Sequence, residues 1–183
     1  MKIFSQFLLF FALISCNQID ENKKLIDVYY IGLNNSDYGK IETVLSDTLT
    51  VISGEYIMKY SKMDYYDWFQ WDSVFKPKYV VKEIIKSEDK YLVTTDKICH
   101  RITFLAGEPL TTTMEFEFKN NEIFKINEIS YDSSTDWNKW TNRRDSLVSW
   151  SKIHHPELGD FIFTQDKQNG DNYLKAIELF TKN

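Results

Sequence analysis

Leu110-Thr111-Thr112-Thr113-Met114-Glu115-Phe116-Glu117-Phe118-Lys119 alternates strictly, with Leu110, Thr112, Met114, Phe116 and Phe118 on one face and Glu115, Glu117 and Lys119 on the other. A period of two over this length describes a strand with one dry and one wet face. Antiparallel sheets covered by helices on a single side present that pattern. Downstream, Asn120-Asn121 makes a short turn into a second strand, Ile123 to Tyr131. Upstream, Tyr79 to Lys86 and Tyr91 to Phe104 read as two more long strands, joined by Ser87-Glu88-Asp89, and Ala106-Gly107-Glu108-Pro109 turns back into Leu110. Along Tyr91 to Phe104 the residues Leu92, Thr94, Asp96, Ile98, His100, Ile102 and Phe104 share a face, and its apolar members mark it as the helix-facing one. Asp96 and His100 would then point inward, ~13 Å apart at ~3.3 Å per residue. That separation forbids a dyad and allows both to act on one ligand.

Around this meander the period becomes helical. Leu25 to Asn34 carries apolar or small residues at 25, 28, 29, 32 and 33, and Ser36 or Asp37 can cap a second short helix with Ile41, Val44 and Leu45. Leu49 to Ser53 and Glu55 to Tyr60 flank Gly54 as a strand, turn and strand. Ser61 to Phe75 is a third helix dense in aromatics, which reads as core stripe more readily than as a sugar-stacking platform. Beyond Asp132 comes a helix carrying Trp137, Trp140, Leu147 and Val148 and ending at His155-Pro156. Asp171 is the expected cap of a last helix with Leu174, Ile177 and Phe180.

Helices followed by a long curled meander resemble the nuclear transport factor 2-like superfamily, which includes ketosteroid isomerases, polyketide cyclases, dehydratases and non-catalytic binding modules. The stretch Tyr29-Tyr30-Ile31-Gly32-Leu33-Asn34-Asn35-Ser36-Asp37 is similar to its first helix and turn, Asp47 matches the acidic residue after the second helix, and Asn120 to Asp132 resembles its last hairpin. The resemblance covers Leu25 to Asp132. It implies an α+β fold, a curled antiparallel sheet with helices on one face around a cone-like pocket, with residues 133–183 as a C-terminal helical extension. The segments His155-Pro156-Glu157-Leu158 and Asn172 to Ala176 are similar to tails of Bacteroidota envelope proteins. Isomerases of the group use a helix-one tyrosine and a protonated aspartic acid as oxyanion donors, with a second aspartate as base. Carried over residue by residue, the tyrosine is Tyr29, the base position holds Ser53, and the acid position holds Met114. A serine hydroxyl cannot take up a proton as a general base near neutral pH, so the match argues against isomerase chemistry. Tyr29, Asp96, His100 and Met114 remain as pocket residues.

Met1-Lys2 gives a once-charged start, and Phe7 to Ile14 is an apolar run of signal-peptide length, shorter than the ~20 residues of a membrane span. Leu13-Ile14-Ser15-Cys16 looks like a bacterial lipobox. The resulting division is 1–15 signal peptide, 16–24 lipidated tether, 25–132 domain and 133–183 extension. The mature chain would hold 183 − 15 = 168 residues, and losing Lys2 takes the net charge from −5 to −6. Such acidity leaves no electrostatic footprint for nucleic acid. With Cys16 acylated, Cys99 is the single thiol left, so no disulfide framework is expected. His154-His155 is adjacent, whereas a metal site needs spaced ligands, and no phosphate, calcium or nucleophile-elbow motif is present. The expectation is therefore a lipid-anchored envelope protein without cofactor or metal. It would bind a small apolar ligand or an envelope protein, and would be able to pair with itself through the sheet. The alternative is a cyclase- or dehydratase-type enzyme using His100 with Asp96 or a tyrosine.

Overall fold

A computed structural model describes residues 20–182. Helices α1 (Glu21–Asn35) and α2 (Tyr38–Glu42) precede a hairpin of β1 (Leu45–Ser53) and β2 (Tyr56–Ser61), followed by α3 (Lys62–Val74). Strands β3 (Lys78–Ser87) and β4 (Lys90–Ile98), a short helix α4 (His100–Leu105), and strands β5 (Leu110–Lys119) and β6 (Glu122–Tyr131) complete the sheet. Helices α5 (Trp137–His154) and α6 (Lys167–Phe180) follow, with a turn of 3₁₀ helix at Pro156–Leu158 between them. The six strands lie in the order β2-β1-β6-β5-β4-β3. Four of the five pairings are antiparallel, and β1 lies parallel to β6.

The curl comes from bulges. On β6, Phe118 pairs with Ile123 and Glu117 with Lys125, so Phe124 is an extra residue; Thr113 pairs with Ser130 and Met114 with Glu128, so Ile129 is another. Each inserted residue bends the strand and increases its twist. The connections obey local chemistry: Asn120 and Asn121 both have positive φ (52° and 62°), the requirement of a type I′ turn.

Two cores meet at α3. The first lies between α1, α2, the start of α3 and the concave face of the sheet, and includes Ile26, Tyr30, Phe116 and Ile123. Gly32 is required there, since a Cβ would stand 2.5 Å from Ile41 Cγ1. The second core gathers Trp71, Phe75, Ile102, Leu147, Phe161, Tyr173 and Ile177, and joins α5 and α6 to α3 and α4. Here Gly170 lets α6 approach α3, where an added Cβ would lie 3.1 Å from the carbonyl oxygen of Trp71.

Four expectations need correction. Helix α1 begins at Glu21 rather than Leu25, so residues 21–24 of the expected tether are helical. Asp20 caps the backbone N–H of Lys23, and Lys24 pairs with Glu21 at 2.9 Å. The strand expected over Tyr91 to Phe104 stops at Ile98. Cys99 caps α4 through its sulfur, and the N–H of His100 donates to the carbonyl of Phe75. Ala106 to Pro109 therefore joins a helix to a strand, not two strands. Finally, α6 starts at Lys167 under Asp166, and Asp171 lies inside it, paired with Lys167 at 2.7 Å.

Candidate functional site

Strand β4 ends at Ile98, and its inward face is the opposite of the one expected. Val93 pairs with Met114 and Thr95 with Thr112, so Tyr91, Val93, Thr95 and Lys97 share the face that carries Met114 and Phe116. Asp96 lies on the opposite face, where it accepts from Thr111 at 2.6 Å and pairs with Lys82 at 3.0 Å. Those two partners hold its carboxyl below the usual range, the Thr111 hydrogen bond most of all. His100 is exposed at the start of α4, in a shallow groove with Phe104, Arg143 and Leu174 on the far side of that helix. Neither residue reaches the cone, which corrects their assignment as pocket residues. The pairing of His100 with Asp96 inside the cone is therefore not formed.

The cone itself is open. A cleft of about 350 Å³ adjoins an inner lobe of about 190 Å³, and the two share Tyr29, Trp68, Arg101, Met114 and Glu128 in their walls. Tyr29 and Met114 therefore stand in one cavity, and Ser53 joins them in the outer lobe. The wide end lies at the β1–β2 turn, where Ser53 and Tyr56 line it, and Gln165 arrives from the loop before α6.

Polar groups converge within this aromatic lining. The phenols of Tyr29 and Tyr65 share a buried hydrogen bond of 2.5 Å. Asp72, 1 % exposed, receives Lys97 Nζ at 2.5 Å and the Tyr79 hydroxyl at 2.8 Å. Burial drives the phenols of Tyr29, Tyr65 and Tyr79 well above their ordinary range, and for Tyr79 the Asp72 charge adds to it. All three remain neutral donors at any physiological pH. Near the mouth, the Ser53 hydroxyl donates to Glu128 at 3.0 Å. Burial raises Tyr131, and a hydrogen bond to Glu128 raises it further.

Arg101, on α4, differs from these. Its guanidinium carbon stands 5.0 Å from the Trp71 ring centre, 5.5 Å from Trp140 and 5.8 Å from Phe75. Among the described residues no carboxylate lies within 4.0 Å of it. Both Arg101 Nε and the Trp71 indole nitrogen are buried without an acceptor, a condition that costs about 1–3 kcal/mol per donor.

Five of these residues were not singled out in the sequence. Lys97 was hidden by the inverted face of β4, and Arg101 by the strand reading of α4. Glu128 and Tyr131 both point inward because the bulge at Ile129 shifts the alternation between them. Asp72 stands on a helix read for its aromatic residues alone. Among the described residues no group of three or more His, Cys, Asp or Glu gathers as a metal site would require.

Comparison with solved structures agrees with this geometry. The chain is similar to Bal32a from a soil-derived mobile gene cassette, with 15% identity, a TM-score of 0.53, and coverage of 67% of this chain and 95% of that one. It is similar to a candidate ketosteroid isomerase from Kribbella flavida, with 10% identity, a TM-score of 0.50, and coverage of 63% and 81%. It is also similar to TerC co-crystallised with polyporic acid, with 12% identity, a TM-score of 0.50, and coverage of 68% and 98%. At these identities the likeness shows the fold alone, a curled sheet with helices packed on it. No family model and no curated protein matches the sequence.

Proposed function

We propose that this chain is a cell-envelope lipoprotein of the Bacteroidota type whose cone holds a small, largely apolar ligand without transforming it. One observation carries the binding reading. Two adjoining lobes that share wall residues reach from the mouth to Tyr30 and Phe116, and their walls are mainly aromatic and aliphatic with a few oriented polar groups, the usual make-up of a small-molecule site. The polar groups support binding rather than turnover. Asp72 is fully engaged by Lys97 and Tyr79, the isomerase base and acid positions hold Ser53 and Met114, and the buried tyrosines are fixed as neutral donors. The anchoring part of the proposal rests on Leu13 to Cys16, which lie outside the described residues. No described helix is long and apolar enough to cross a membrane.

The test is native mass spectrometry of the purified full chain, together with a Met114→Trp variant that fills the cone. A retained, chemically unchanged small molecule on the wild type, lost from the variant with no fall in melting temperature, is the expected result. Turnover of that molecule by the wild type, or its equal retention by the variant, would overturn the reading.

A further inference from the structure

We infer that the ligand of this cone carries a carboxylate, or an equally delocalised oxyanion, and that Arg101 is the residue that selects it. The inference rests on the binding reading above and adds the chemical class. A guanidinium is always charged and presents donors in a planar fork matched to carboxylate geometry. Arg101 lines both lobes of the cavity, so its charge is available to a molecule in either.

The surrounding residues leave that charge unanswered. Of the other ionic groups of the lining, Asp72 and Lys97 neutralise each other, and Glu128 is held by the Ser53 hydroxyl without pairing with Arg101 within 4.0 Å. Three aromatic rings, Trp71, Phe75 and Trp140, hold the guanidinium in place without neutralising it. Tyr173 adds a neutral phenol, whose proton affinity burial raises and the Arg101 charge lowers. A cation fixed in position, partly desolvated and without a counter-ion binds an anion more strongly than a solvated one would. Trp68, Met114 and Ile126 supply apolar surface for the rest of the molecule. The ligand class is accordingly an apolar acid, with an aromatic or aliphatic body and one anionic end.

An opposing account treats Arg101 as a cation–π rivet that docks the C-terminal helices on α3. The two accounts separate experimentally. Calorimetric titration of the full chain in nanodiscs compares 2-naphthoate with its neutral isostere 2-naphthamide, with protein-free nanodiscs as the reference. The wild type is expected to prefer the carboxylate by roughly tenfold to a hundredfold, the range of a charge-assisted hydrogen bond over a neutral contact. Arg101→Met should abolish that preference and leave 2-naphthamide binding within about twofold, while Arg101→Lys should keep part of it. Should Arg101→Met fail to fold, the wild-type ratio and Arg101→Lys decide alone. Equal affinity of the wild type for both probes, or a preference unchanged in Arg101→Lys and Arg101→Met, would overturn the carboxylate inference and leave the pocket standing. Binding of neither probe would remove the inference together with the binding reading.

Discussion

Replacing Lys97 by Met tests how the cone tolerates its buried charge. The Asp72 side chain is 2 % exposed and that of Lys97 13 %, with 2.5 Å between Nζ and Oδ1. Truncating the ammonium leaves a carboxylate among apolar side chains, with one remaining donor, the Tyr79 hydroxyl. Breaking a buried pair from one side costs about 3–5 kcal/mol, because the stranded charge keeps its desolvation penalty. For a domain of this size each kcal/mol lowers Tm by about 2–4 °C, so the expected fall is on the order of 10 °C. Adding Asp72→Asn on that background removes the stranded charge, and the double variant should regain at least about half of the loss. Circular-dichroism melts of the full chain at pH 7 measure both. A fall of less than about 3 °C for Lys97→Met, or a double variant no more stable than the single one, would refute the idea that Lys97 neutralises a dry Asp72.

Other outcomes follow from the same geometry. Tyr29→Phe leaves the buried Tyr65 hydroxyl unpaired and should cost about 1–2 kcal/mol in denaturant unfolding. Tyr29, Tyr65 and Tyr79 are held above their unfolded value near 10, so their contribution is complete below pH 10 and is lost as pH rises past it. Phenolate absorbance near 295 nm should show these residues ionising only with unfolding, and Tyr38, pushed up by burial to about 12, ionising late. Gly32→Ala forces Ile41 aside and should lower stability by about 1–3 kcal/mol, read from the same melts. Cys16→Ser should abolish incorporation of a labelled fatty acid; equal labelling of variant and wild type would end the lipoprotein proposal.

Strict alternation on β5 placed Met114 and Phe116 on the inner face, and Asn120-Asn121 marked its turn, because both signals are local. What failed was also local in cause. Ile98, Ile102 and Leu105 are spaced for a helix as well as lying near a strand pattern, and short apolar runs do not decide between the two periods. Counting Ile102 and Phe104 as strand residues tipped the inferred face of β4 and carried Asp96 and His100 inward with it. The bulge at Ile129 has no signature in composition, so the inward turn of both Glu128 and Tyr131 could not be anticipated. Arg101 became meaningful only once α5 and α6 brought Trp140 and Tyr173 to it, a contact between residues far apart in the chain.

Asp20 does more than cap α1. Its carboxylate also accepts from the Tyr91 hydroxyl and faces Lys86 at 3.7 Å, which fixes the start of the domain to the β3–β4 hairpin end of the sheet. Because β1 runs parallel to β6, the Gly54 turn and the mouth of the cone lie at the other end. Three residues separate Cys16 from Asp20, a leash of four steps and at most about 14 Å at full extension. An acylated Cys16 would thus tie the molecule by its closed end and set the mouth towards the aqueous compartment. A ligand would then come from solution or from a soluble carrier, and one dissolved in the anchoring leaflet would have to leave it to enter.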